Sequence, residues 1–94
     1  MEQIDINKIK QEVSNNEAIF LDVRSPEEFE EFSIPNSINL PVEEIEFGKV
    51  PEVERDFKIY VYCMSGARAG RAMSMLKNSG FENVFNLGGI MSLV

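Results

Sequence analysis

The sequence has no histidine, no tryptophan and a single cysteine, Cys63, among its 94 residues. One cysteine excludes an internal disulfide, a C-x-x-C redox pair and a multi-cysteine zinc or iron–sulfur site. The absence of histidine excludes the Ser-His-Asp and Cys-His hydrolase mechanisms and the common histidine-rich metal sites. Any chemistry of this chain therefore proceeds without an imidazole, and we expect no metal and no other cofactor.

Long apolar runs and a basic, apolar start are also missing. No stretch approaches the roughly 20 apolar residues that span a bilayer, and the first residues do not resemble a signal peptide. With an unpaired thiol, these features predict a protein of the reducing cytoplasm. The length suits one domain, and no repeat, low-complexity stretch or flexible linker divides the chain. We therefore predict a single domain over residues 1–94.

The charge of the chain is unevenly distributed. The formal net charge is -7, which disfavours binding to nucleic acid or to an anionic membrane surface. Residues 1–57 carry 15 acidic and 5 basic residues, whereas residues 58–94 carry four basic residues and one acidic residue, Glu82. The segment with the cysteine is thus locally basic, which suits a small anionic ligand. A solvated helix face explains the same pattern equally well.

Helix and strand patterns alternate along the chain. Helices are predicted after Asp5 as N-cap, after a capping box at Ser25-Pro26-Glu27-Glu28, over a turn or two from Val42, and from near Arg68 to Gly80. Strand patterns cover residues 18–23, 37–40, 58–62 and 83–87, and Gly88-Gly89 is predicted to be a tight turn. This alternation predicts an α/β fold with a mostly parallel central sheet of about five strands and helices on both faces.

The surroundings of Cys63 favour a reactive thiol. It ends a buried strand pattern and begins the cysteine loop, residues 63–68, which leads into a helix. Ligands of parallel sheets bind at such strand ends. Backbone N–H groups and the positive end of the helix would stabilise an anionic sulfur there. Gly66 supplies the backbone freedom, Ser65 a hydroxyl donor and Arg68 a guanidinium fork. The alternative is a buried cysteine that acts as a small hydrophobic residue.

The chain resembles the single-domain rhodanese, or sulfurtransferase, family. Four segments carry the resemblance in order: Asp22-Val23-Arg24-Ser25 with Glu27-Glu28-Phe29, Ile34-Pro35 with Ile38-Asn39-Leu40-Pro41, Tyr60 to Arg68 with the cysteine loop, and Leu87-Gly88-Gly89-Ile90. Two features depart from the family pattern. Phe32-Ser33-Ile34-Pro35 lacks the frequent histidine before Ile-Pro, and Leu93 stands where a tryptophan often follows the double glycine, close to a short C-terminal end.

The resemblance implies transfer of a sulfane sulfur. Cys63 would take sulfur from thiosulfate or a similar small anionic donor, hold it as a persulfide, and pass it to cyanide, a thiol or a sulfur-accepting protein. Cys63 is then the catalytic residue, and Met64, Ser65, Gly66, Ala67, Arg68 and Arg24 bind the substrate. Asp22 is expected to support the loops by accepting hydrogen bonds.

Other functions remain open at this point. A persulfide carrier or thiol-sensing module with little turnover would keep the same cysteine. A phosphatase or arsenate reductase of the same fold is disfavoured, because only four residues separate Cys63 from Arg68 and those enzymes have five. A purely structural domain does not require the cysteine or the loop glycine.

Overall fold

The computed structural model describes residues 4–94. Helices and strands alternate along the chain as the sequence pattern predicts. The helices are α1 Ile6–Ser14, α2 Pro26–Glu31, α3 Val42–Glu46 and α4 Ala67–Asn78, followed by a short 3-10 helix, Ile90–Ser92. The strands are β1 Ala18–Asp22, β2 Ser37–Asn39, β3 Lys58–Cys63 and β4 Val84–Gly89. Asp5 caps α1 by accepting a hydrogen bond from the Lys8 amide at 3.2 Å.

The strands form one parallel sheet in the order β2-β1-β3-β4. The prediction of about five strands is corrected to four over the described range. The apolar segment after β4 curls into the 3-10 helix Ile90–Ser92 instead of extending beside a neighbouring strand. Because all strands are parallel, the carboxyl ends of β1, β3 and β4 meet at one edge of the sheet.

Buried side chains cover both faces of the sheet. Alternate residues of β3 point to opposite sides, so Val61 and Cys63 belong to the cluster formed with α3 and α4, and Tyr60 and Tyr62 to the cluster formed with α1 and the 3-10 helix. This arrangement confirms the α/β fold with helices on both faces. It also directs the side chain of Cys63 towards α4.

The end of β4 differs from the predicted Gly-Gly turn. Gly88 and Gly89 continue the strand and pair with Tyr62 and Cys63, respectively. The register skips one residue between Asn86 and Gly88, and Gly88 adopts a φ of 88°. A glycine accepts this left-handed conformation without strain. With this bulge, β4 continues to pair with β3 as far as Cys63.

The helices of the described chain are short. Within residues 4–94 we find none that combines the length and apolarity needed to cross a membrane.

Candidate active site

Cys63 is the last residue of β3, at the sheet edge where the parallel strands end. Its side chain is buried, with 0% of the residue exposed. The next residues, Met64 and Ser65, are exposed, and the chain turns at Gly66 into α4. The sulfur therefore lies beneath a short exposed loop at the start of a helix, as the sequence predicts.

Backbone amides of the cysteine loop and α4 point at the sulfur of Cys63. The amide of Gly66 donates a hydrogen bond to Sγ at 3.0 Å, and the amide of Ala69 donates a second at 3.4 Å. Gly66 is the N-cap of α4 with a φ of 99°, a left-handed conformation that allows the chain to curl around the sulfur. Two N–H donors at a helix N-terminus stabilise negative charge. The geometry therefore supplies donors for negative charge at the sulfur without a basic side chain.

The end of β4 contacts the cysteine loop and supports it. The side-chain amide of Asn86 donates a hydrogen bond to the carbonyl oxygen of Gly66 at 3.2 Å, and its oxygen accepts one from the amide of Gly88 at 2.8 Å. Gly89 lies so close to the loop that an added Cβ would come well within 3.0 Å of the carbonyl oxygen of Met64. Only a residue without a side chain allows this approach.

Arg68 forms a two-point ion pair with Glu28. Nη1 donates to Oε1 at 2.7 Å and Nη2 donates to Oε2 at 3.1 Å, across 40 residues of sequence. Glu28 is held in turn by the capping box of α2, where its Oε1 accepts a hydrogen bond from the amide of Ser25 at 3.1 Å. The hydrogen bond from Arg68 is the main reason that the pKa of Glu28 is lowered to about 2. The guanidinium of Arg68, which the sequence predicts to bind the sulfur donor, is thus already paired with a carboxylate.

Arg24 and Asp22 form a second ion pair, at the end of β1. Arg24 Nη2 donates to Asp22 Oδ2 at 2.7 Å and to the carbonyl oxygen of Phe32 at 2.7 Å, and both charged side chains are fully buried. The guanidinium also packs against the rings of Phe32 and Tyr62, with its carbon 5.3 and 5.9 Å from the ring centroids. Nη1 has no hydrogen-bond partner in the described part of the chain. Solvent does not reach Arg24, so a donor would have to displace its neighbours to contact it.

Acidic residues from the first half of the chain offset the basic charge of residues 58–94. Lys58 pairs with Glu12, Arg68 with Glu28, and Arg71 with Glu46. The local excess of positive charge seen in the sequence is therefore largely compensated in space. In the range 4–94 we find no group of three or more histidine, cysteine or acidic side chains that could hold a metal ion.

The structure brings several predicted site residues together. The cysteine loop follows β3, and the Asp22–Arg24 pair follows the neighbouring strand β1, where Arg24 donates to the carbonyl oxygen of Phe32 at the end of α2. Sequence reasoning missed Glu28 and Asn86 as residues that hold the loop. Glu28 is visible in the sequence as part of a capping box, but no spacing signal links it to an arginine 40 residues later.

Nearly the whole chain also matches known proteins. The family model for the rhodanese-like domain matches residues 5–93. The chain belongs to the rhodanese-like domain family. This membership confirms the resemblance drawn from the sequence motifs, and it covers nearly every described residue.

Two curated relatives and one solved structure illustrate the rhodanese-like similarity. A sulfurtransferase of Allochromatium vinosum is 34% identical over 92 residues, which covers 96% of this chain and 85% of that protein. The putative sulfur carrier protein YrkF of Bacillus subtilis is 35% identical over 86 residues, which covers 90% of this chain but only 46% of that protein. The crystal structure of a rhodanese-related protein from Thermoplasma volcanium is 34% identical, with a TM-score of 0.77, covering 99% of this chain and 90% of that one.

Proposed function

We propose that this rhodanese-like chain transfers a sulfane sulfur through a persulfide on Cys63. The support is the geometry of one atom: the Cys63 sulfur accepts hydrogen bonds from the amides of Gly66 and Ala69 at the start of α4. A thiolate is the form of cysteine that attacks sulfur. The terminal sulfur of a persulfide is also an anion, and the positive end of α4 favours its negative charge in the same way.

The first half-reaction forms the persulfide. The Cys63 thiolate attacks the outer sulfur of thiosulfate or a similar sulfane donor, a new S–S bond forms, and the S–S bond of the donor breaks. With thiosulfate, the electron pair of the broken bond leaves with sulfite. No proton moves and no external oxidant is consumed, so the absence of histidine is no obstacle.

The second half-reaction returns the thiolate. A nucleophilic acceptor, such as cyanide, a small thiol or a sulfur-accepting protein, attacks the outer sulfur of the persulfide and breaks the bond to Cys63. The relatives named as a sulfurtransferase and as a putative sulfur carrier favour sulfur transfer in general. We place this reaction in the cytoplasm, where an unpaired thiol stays reduced.

Mass spectrometry of the intact chain tests the proposal. After incubation with thiosulfate or an alkyl persulfide, the wild type should gain the mass of one sulfur, and cyanide should remove it as thiocyanate. Cys63→Ser keeps a hydrogen-bond acceptor at this position and should do neither. Thiocyanate formed by Cys63→Ser at the wild-type rate would refute the mechanism. A wild type that loads sulfur but releases it only to another protein would favour the carrier function.

A further inference from the structure

We propose that Glu28 sets the donor selectivity of the Cys63 site by cancelling the charge of Arg68. The site then favours persulfides of uncharged thiols over doubly charged donors such as thiosulfate. This selectivity rests on the sulfur transfer proposed above and concerns which donor supplies the sulfur. Glu28 is thus a positioning residue, since it acts on the donor through Arg68.

The geometry of the pair leaves Arg68 little capacity for an anion. Both Nη groups of Arg68 donate to the two carboxylate oxygens of Glu28, at 2.7 and 3.1 Å. Glu28 cannot turn away freely, because Ser25 Oγ and the Ser25 amide both donate to its Oε1 at 3.2 and 3.1 Å. An approaching anion would therefore meet a neutral pair whose carboxylate is held in place by Ser25.

A further carboxylate, Glu43, acts on the same guanidinium. The hydrogen bond that Arg68 donates to Glu28 is the largest cause of the raised pKa of Arg68, and the charges of Cys63 and Glu43 raise it further. Glu43 on α3 thus acts on the loop arginine from a second element.

Two other arginines, one after β1 and one on α4, are also paired with acidic side chains. Arg24 is buried against Asp22, and Arg71 is paired with Glu46. Arg24, Arg68 and Arg71 are therefore each paired with a carboxylate, and Glu43 acts on Arg68 in addition. Adding a dianionic donor to this surrounding is electrostatically unfavourable.

A persulfide donor suits this charge balance. The Cys63 thiolate attacks the outer sulfur of R–S–S–H, the S–S bond of the donor breaks, and the proton leaves with the thiol R–S–H. The enzyme keeps the outer sulfur as Cys63–S–S⁻, so one negative charge is present before and after the step. Thiosulfate brings two additional negative charges to the same place and releases them only as sulfite.

Two alkyl persulfides with the same reacting group but different charge test this selectivity. In the wild type, kcat/KM should be higher for 2-hydroxyethyl persulfide than for 2-sulfonatoethyl persulfide, in which a charged sulfonate replaces the hydroxyl, and higher than for thiosulfate. Glu28→Gln keeps the side-chain shape and frees the charge of Arg68. The ratio of the two persulfides should then fall about tenfold, as expected for one unit charge about 4 Å away when solvent screens it almost as strongly as bulk water does.

Control variants distinguish donor selectivity from loop damage. Glu27→Gln removes the same charge from the same turn of α2, at an exposed side chain that makes no ion pair with Arg68, and should leave the ratio unchanged. The double variant Glu28→Gln/Arg68→Gln restores a neutral pair and should return the wild-type ratio. This recovery is a readout that a merely structural role would not produce.

Three results would overturn the selectivity. The first is a wild type that uses 2-sulfonatoethyl persulfide and thiosulfate as well as 2-hydroxyethyl persulfide, which decides the matter even if Glu28→Gln does not fold. The second is a Glu28→Gln variant that loses activity equally towards all three donors. The third is an equal change in Glu27→Gln. A wild type that gains no sulfur from any donor instead refutes the proposed function itself.

Discussion

Replacing Gly89 by alanine should displace the cysteine loop while leaving the rest of the sheet intact. The backbone of Gly89 is extended, with φ −93° and ψ 141°, so alanine adopts it without conformational strain. The obstacle is contact, because the new Cβ would lie well within 3.0 Å of the carbonyl oxygen of Met64. The backbone fixes the positions of both the added Cβ and the carbonyl oxygen, so no side-chain rotation relieves the overlap.

The magnitude follows from the space that is missing. Ordinary contacts of a Cβ begin at 3.4 Å, so the loop must retreat by several tenths of an ångström or more. Overpacking of this kind costs about 1–3 kcal/mol of stability. The hydrogen bond from the Ala69 amide to the Cys63 sulfur is already long at 3.4 Å. Displacement of a reacting group by about 1 Å lowers the rate roughly 100-fold.

Gly70→Ala is the matched control, because Gly70 lies in α4 near the same loop. A Cβ there would be 3.5 Å from the side-chain nitrogen of Asn86, which is an ordinary contact. Alanine in a helix interior is favoured over glycine by roughly 0.5–1 kcal/mol, so this variant should be slightly more stable and equally active.

Urea unfolding and sulfur transfer to cyanide measure the two effects. We expect a lower unfolding midpoint and a much lower turnover for Gly89→Ala, and neither loss for Gly70→Ala. A Gly89→Ala protein with wild-type turnover would show that the loop does not depend on its contact with β4.

Two further predictions concern stability. Glu28 is ionised in the fold with a pKa of about 2, against an ordinary value of 4.5, chiefly because Arg68 donates a hydrogen bond to it. Its ionised form thus contributes about 1 kcal/mol to the free energy of unfolding, discounted for partial exposure; this contribution is fully present above about pH 4.5 and is lost as the pH falls through 2. The free energies of unfolding of the wild type and Glu28→Gln, measured with urea, should converge over this range. A constant gap between them would contradict the assignment. Tyr62→Phe leaves the buried amide of Ile34 without its partner at 3.1 Å and removes the hydroxyl bond to Ser37 at 2.9 Å, which should cost roughly 1–3 kcal/mol in the same assay; a loss below about 0.5 kcal/mol would argue that the tyrosine hydroxyl matters little.

Local patterns account for the parts of the fold that were predicted correctly. The run Lys58–Cys63 is β-branched and aromatic, and the helix after it repeats small and apolar residues at helical spacing, so both elements are visible in a short window. The capping box at Ser25 is equally local. These elements place Cys63 at the sheet edge without knowledge of the tertiary structure.

The features that were missed depend on residues far apart in the sequence. The bulge at Gly88 arises from the register of β4 against β3, which a double glycine by itself suggests only as a turn. The pairing of Arg68 with Glu28 joins two helices 40 residues apart. Counting charges in one segment cannot reveal such a pair, because the compensating acids lie in the other half of the chain.

The all-parallel order of the sheet has a consequence for how the thiol becomes protected. No two strands can pair through a short hairpin, and β1 meets β3 across about 40 residues, as in the pair Ala18 and Lys58. Such distant contacts form slowly. The cysteine loop rests on Gly89 at the end of β4, and β4 pairs with β3 alone. We therefore expect Cys63 to stay accessible to oxidants during folding until the final strand has added to the sheet.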